Sequence, residues 1–155
     1  MNVVDQKTRS KIMSAVRSKG NKSTEMAMMK LLRNNRLKGW RRHLPIHGKP
    51  DFSWQRLKIA LFVDGCFWYG CPRCYRAPTS NTDYWEAKVK RNRSRDRKVS
   101  KLLRNEGWSV IRVWECRIHE AHTLKRIARI INRKADTVFQ GREIKNFSLA
   151  DSKNQ

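Results

Sequence analysis

Two spacings of apolar residues take turns along this chain. Ile12 and Val16, four apart among Arg9, Lys11, Arg17 and Lys19, predict a short basic helix over residues 5–18, capped by Asp5 or Thr8 and ended by Gly20 and Asn21. Met28, Leu31 and Leu32 form the stripe of a second helix over 23–38, with Ser23 or Thr24 as cap and Gly39 as stop. Residues 40–49 are basic and patternless. Phe52 and Trp54 then alternate with polar neighbours, which suits a half-buried strand, and Gln55-Arg56 turn into an apolar strand over 57–63. Trp85, Val89, Asn92, Asp96, Val99 and Leu103 recur at helical spacing, which predicts a helix from about 83 to 105. Gly107 ends it, and the β-branched alternation of 108–114 predicts a strand. Leu124, Ile127, Ala128 and Ile131 lie on one face of a last helix over 120–133. From Lys134 the pattern fades.

This order of elements predicts an α/β fold, a mixed central sheet flanked by helices. At 155 residues one domain is expected. It spans residues 1–133, and 134–155 form a partly ordered extension. No internal repeat is visible.

Charge narrows the class of partner. Lys and Arg number 36 against 13 Asp and Glu, a formal net of +23. Such an excess neutralises phosphates and releases counterions, so nucleic acid comes first, ahead of an anionic membrane surface or an acidic protein. The basic residues are spread along the chain and not held in one amphipathic helix. No apolar run reaches the roughly 18 residues of a membrane span, and the N-terminus has no apolar core of signal-peptide length. A cytoplasmic monomer is the expectation. In that compartment Cys66, Cys71, Cys74 and Cys116 read as metal ligands or reduced thiols rather than disulfides.

The candidate chemistry gathers around residues 51–74. Asp51 opens one predicted strand and Asp64 closes the next, so in an antiparallel pair the two carboxylates are neighbours able to bind a hard cation such as Mg2+. Cys71 and Cys74 have the C-x2-C spacing of a zinc knuckle, with Cys66 just before. If the 108–114 strand lies beside 57–63, Cys116 completes an all-cysteine zinc site of the structural kind; the alternative is free buried thiols. Glu25 is either favourable charge at a helix N-terminus or an acid near the site. Asp96, on an otherwise apolar face, is either salt-bridged or part of the site. Phe67 and Trp68, side by side in a loop, are either core or a surface for bases.

The residues also resemble a known family. Thr8-Arg9-Ser10-Lys11-x-Met13, Gly48-x-Pro50-Asp51-Phe52, Phe62-x-x-Gly65-Cys66-Phe67-Trp68, Trp85-x-x-Lys88-x-x-x-Asn92-x-x-x-Asp96-Arg97 and Gly107-Trp108-x-Val110-x-x-Val113-Trp114-Glu115-Cys116 are similar, in this order, to very short patch repair DNA mismatch endonucleases. The resemblance covers roughly residues 5–118. It implies a restriction-endonuclease-like fold of the PD-(D/E)xK group with a structural zinc, and Mg2+-dependent nicking of duplex DNA 5′ to the thymine of T·G mismatches, which arise by deamination of 5-methylcytosine. It further implies a functional link to a cytosine-5 DNA methyltransferase. By position, Asp51 and the backbone carbonyl of Val63 would hold the metal, and Asp64 could join them. Glu25 and Asp96 would be supporting acids. Phe67, Trp68 and Trp85 would wedge beside the mismatch, Met13 would press in from the minor-groove side, and Lys88 and Asn92 are expected on the DNA.

Family members carry Thr-His where this chain has Val63-Asp64, and a histidine where it has Tyr69. The lysine typical of the wider nuclease group is absent, since Cys66 stands two residues after Asp64. Two rivals remain: a zinc-stabilised nuclease that cuts matched DNA, and a DNA-binding module without catalysis.

Overall fold

A computed structural model describes residues 22–151. The helix expected over 5–18, with Met13, lies outside the described residues. Three helices and four strands follow one another: α1 (Lys22–Asn34), β1 (Arg41–Arg42), β2 (Phe52–Trp54), β3 (Ile59–Asp64), α2 (Thr82–Asn105), β4 (Ser109–Trp114) and α3 (Ala121–Asp151). The strands form one mixed sheet in the order β1-β2-β3-β4. β1 and β2 pair antiparallel, as do β2 and β3, whereas β3 and β4 run parallel, with Val63 opposite Val113 and Asp64 opposite Trp114. A parallel pair needs a long crossover, and α2 supplies it.

Alternation along β3 sorts its residues onto two cores. Ile59 and Leu61 join Phe52, Trp54, Ile111 and Val113 against Met28 and Leu32 of α1 and Ile127 of α3. Ala60 and Phe62 face the other way, onto Leu103 and Val99 of α2. The sheet is therefore covered on both faces, which explains why 57–63 reads as a nearly unbroken apolar run.

Several boundaries differ from expectation. α1 ends at Asn34, well before Gly39, in a Schellman turn. Arg36 takes φ +56, its N–H bonds to the carbonyl of Arg33 (3.0 Å), and the N–H of Leu37 bonds to that of Leu32 (3.0 Å). β1 was hidden in the patternless stretch because two exposed arginines show no alternation; Arg41 pairs with Ser53 and Arg42 with Phe52. The turn after β2 extends over Gln55–Leu57 as a 3-10 turn closed by Lys58 at φ +50, so β3 starts at Ile59. α3 does not stop at 133 but runs on to Asp151. No proline interrupts it, and one glycine costs a helix only about 1 kcal/mol. No helix among the described residues is long and apolar enough to cross a membrane.

Gly48 shows why the loop before β2 needs glycine. Its φ is +78, and a Cβ there would lie 2.2 Å from Cγ1 of Val99 on α2. The segment leading to Asp51 is thereby pressed against that helix.

Candidate active site and cysteine cluster

Asp51 sits just before β2, beside the end of β3, and its Oδ2 accepts a hydrogen bond from the backbone N–H of Val63 (2.7 Å). Burial pushes its carboxyl up to about 6; the Val63 N–H opposes the rise, and the charges of Glu25 and Asp64 add to it. Among the described residues Asp51 makes no ion pair. Glu25, Asp51 and Asp64 thus share one electrostatic neighbourhood, as the hairpin geometry anticipates for the two aspartates.

The other acids are held. Glu25, near the start of α1 and only 7% exposed, pairs with Arg42, and His43 Nε2 stands 3.6 Å from its Oε2. Asp64 is gripped by Arg112 of β4 through two bonds, Nε to Oδ2 (2.8 Å) and Nη2 to Oδ1 (2.5 Å). The same Nη2 donates to Asp96 Oδ2 (2.7 Å), and Arg95 reaches Asp96 Oδ1 at 3.2 Å. The polar break in the α2 stripe is therefore a bridge: Asp96 meets a strand cation, and Asn92 donates to the carbonyl of Trp68 (2.9 Å).

Tyr69 lies over this network. Its hydroxyl accepts from Arg95 Nη2 (3.2 Å), and the Arg112 guanidinium sits 6.0 Å from its ring centre. Burial and the negative charge of Asp96 push the phenol up to about 12. At neutral pH it is a hydrogen-bond donor and not a base.

The cysteine cluster lies at the C-terminal ends of the parallel strands. The sulfur atoms of Cys66, Cys71, Cys74 and Cys116 all fall within 4.8 Å of one another, and Cys71 Sγ is 3.7 Å from Cys116 Sγ. A tetrahedral ion with bonds of about 2.3 Å to sulfur separates its ligands by about 3.8 Å, so the four thiols fit one such ion. Burial pushes the Cys71 thiol up, but backbone N–H groups of Arg73 and Cys74 outweigh it and bring it down to about 7. The loop between is tightly set. Gly70 has φ +61, and a Cβ there would come 2.8 Å from Val89 Cγ1; Arg93 caps the carbonyls of Tyr69 and Gly70.

The aromatic residues pack together. Phe67 meets Trp68 (ring centres 5.3 Å) and Trp85 (5.1 Å), and Trp68 lies 6.1 Å from Trp85. Trp85 is buried, whereas Phe67 is 37% exposed. Trp85 is the floor and Phe67 the outward surface. Lys88, half-buried, and exposed Lys90, Arg91, Arg95 and Arg97 share α2 with that floor.

Three participants were not singled out from the sequence. Arg112 reads as the polar member of an alternating strand, and only the β3–β4 pairing reveals its two acids. His43 lies outside every motif. Glu115 accepts from the hydroxyl of Thr24 (3.2 Å) and from the N–H of Cys66 (3.2 Å), joining α1 to the cysteine loop. Its place inside the motif Trp114-Glu115-Cys116 was the available signal.

Comparison with known proteins agrees. The family described as DNA mismatch endonuclease Vsr matches residues 1–76. The type II nicking enzyme V.NaeI of Lentzea aerocolonigenes is 52% identical over 67 residues, 43% of this chain and 40% of that protein. V.XorIIP of Xanthomonas oryzae pv. oryzae, also a type II nicking enzyme, is 39% identical over 118 residues, covering 74% of this chain and 84% of its own. The DNA mismatch endonuclease Vsr of Escherichia coli K12 is 34% identical over 116 residues, covering 74% of this chain and 73% of its own.

Proposed function

The chain belongs to the Vsr family of DNA endonucleases, and on that footing we propose that it nicks duplex DNA on the 5′ side of the thymine of T·G mismatches in a Mg2+-dependent reaction. The observation that carries this reading is one loop joining two unlike features. At its base Val63 donates its backbone N–H to Asp51, half-buried and without an ion pair among the described residues. A few residues on, Phe67 stands exposed on a floor of Trp68 and Trp85.

Asp51 and the backbone carbonyl of Val63 hold the metal in this reading. When bound, Mg2+ would neutralise phosphate charge and make a nearby water more acidic. Both oxygens of Asp64 are already engaged by Arg112, so it serves better as a fixed negative charge beside the ion than as a direct ligand. Asp96 positions Arg112, and Glu25 supports the site through Arg42 and His43. Phe67 and Trp68 press into the base stack with Trp85 beneath them. Unstacking costs a few kcal/mol per step and least at a mispair, so the wedge favours T·G over matched pairs. The basic face of α2, Lys88 included, grips phosphates, and Met13 is assigned by resemblance to the minor-groove side. Asn92 acts through the loop, by holding Trp68. Zinc suits four thiolates at this spacing and would fix the aromatic loop relative to the carboxylates. A cytosine-5 DNA methyltransferase supplies the base whose deamination creates the substrate, and the protein works as a monomer in the cytoplasm.

Incubation of the protein with Mg2+ and labelled matched or T·G duplexes tests this, with Asp51→Ala as control. Nicking of the T·G strand alone, lost in Asp51→Ala, is expected. Equal nicking of both duplexes overturns the mismatch reading, and binding without cleavage overturns the enzymatic one.

A further inference from the structure

We propose that His43 is the general base of this site, taking the proton from the water that attacks the phosphodiester. The inference rests on the reading of Asp51 as the centre of cleavage and adds a residue that no motif contains.

Four observations converge. First, the antiparallel β1–β2 register pairs Arg41 with Ser53 and Arg42 with Phe52, so His43, which follows Arg42, and Asp51, which precedes Phe52, leave the pair at the same end. Second, His43 Nε2 is 3.6 Å from Glu25 Oε2, close enough for that carboxylate to orient the ring. Third, the imidazole side chain is 61% exposed, open to water and substrate, whereas Glu25 beside it is 8% exposed. Fourth, His43 takes φ +51. Histidine adopts this conformation several-fold more often than most residues, and here it turns the chain out of β1 where Glu25 stands.

The alternatives near Asp51 are less suited. Tyr69 stays a phenol at neutral pH. Asp64 and Asp96 are bound to Arg112. His122 stands beside Glu120, and no other histidine among the described residues lies as close to Glu25 as His43. The charged groups facing His43 are Glu25 from α1, Asp51 at the start of β2, and Arg42 next to it on β1, which shares the same Glu25 oxygen.

The step balances simply. An imidazole nitrogen of His43 accepts one proton from water as the water oxygen forms its bond to phosphorus. The bond from phosphorus to the leaving sugar oxygen breaks, and that oxygen takes its proton from solvent. Glu25 stabilises the imidazolium and acts as a positioning residue.

The test uses His43→Gly and His43→Asn. Both tolerate positive φ, so neither strains the turn. Single-turnover nicking of the preferred duplex in Mg2+ is measured with and without added imidazole, alongside duplex binding and with Asp51→Ala in parallel. Expected are a loss on the order of 10²–10⁴-fold in rate, unchanged binding, and recovery by free imidazole in His43→Gly but not in Asp51→Ala. Rates within a few-fold of the unsubstituted protein, or a loss that imidazole does not recover, overturn the assignment of His43 while leaving Asp51 in place. No nicking of any duplex by the unsubstituted protein removes both readings together.

Discussion

Replacing Arg112 with methionine should cost the fold about 3–5 kcal/mol, the usual loss when one partner is removed from a buried ion pair. The magnitude follows from what is left behind. The Arg112 side chain is 24% exposed, and those of Asp64 and Asp96 are 11% and 14% exposed, so all three are largely desolvated. Methionine fills much of the volume, but it leaves Asp64 without its cation and Asp96 with only the exposed Arg95. It also removes the guanidinium from its place 4.8 Å over the Phe62 ring. Arg112 Nη1 is itself buried with no hydrogen-bond partner, which keeps the net worth of the cluster below that of three charge-assisted bonds taken alone. Urea denaturation at pH 7 reads the loss directly, and the melting temperature should fall on the order of 10 °C. Adding Asp64→Asn and Asp96→Asn to the methionine variant should recover most of the loss at pH 7. A loss under about 1 kcal/mol, or one that the two asparagines do not recover, would refute the view that Arg112 joins strand, helix and acid loop through charge.

Three further predictions concern the rest of the site. Asp51→Asn should abolish nicking yet stabilise the metal-free protein at pH 7. The rise of the Asp51 carboxyl to about 6 limits the gain to about 3 kcal/mol, and partial solvation reduces it to about 1–2 kcal/mol. Because the folded value lies above the unfolded one, the burden of Asp51 grows as pH rises from about 4 to 6, so the gain should vanish in acid; melting curves at pH 4 and 7 check this. Metal analysis should find one equivalent of zinc, which Cys116→Ser loses along with several degrees of melting temperature. Phe67→Ala should weaken binding to the T·G duplex by about 1–3 kcal/mol and leave matched-duplex binding nearly unchanged, by titration at fixed salt.

Much of the fold is legible in the sequence because β3 and α2 are ruled by burial. Ile59, Leu61, Val99 and Leu103 had to face a core, and the spacing said so. The cysteine cluster was legible for a different reason: parallel pairing of two recognisable strands necessarily brings Cys116 to Cys66. What escaped depends on partners distant in sequence. Arg112 and Asp64 are 48 positions apart, and a polar residue in an alternating strand reads as solvent-facing. His43 escaped because β1 is two residues long and exposed, too short to show a period. The stop of α1 escaped because an arginine, not a glycine, takes the left-handed position.

The parallel register of β3 with β4 also governs when the molecule becomes capable of acting. During synthesis the carboxylates, the aromatic loop and three of the four cysteines emerge first. The strand that brings Arg112, Glu115 and Cys116 to them emerges only after the whole of α2. Until then Asp64 lacks its cation, the loop lacks its tether and the sulfur cluster lacks its fourth member. A chain grown only as far as α2 thus holds most parts of the site without the strand that arranges them.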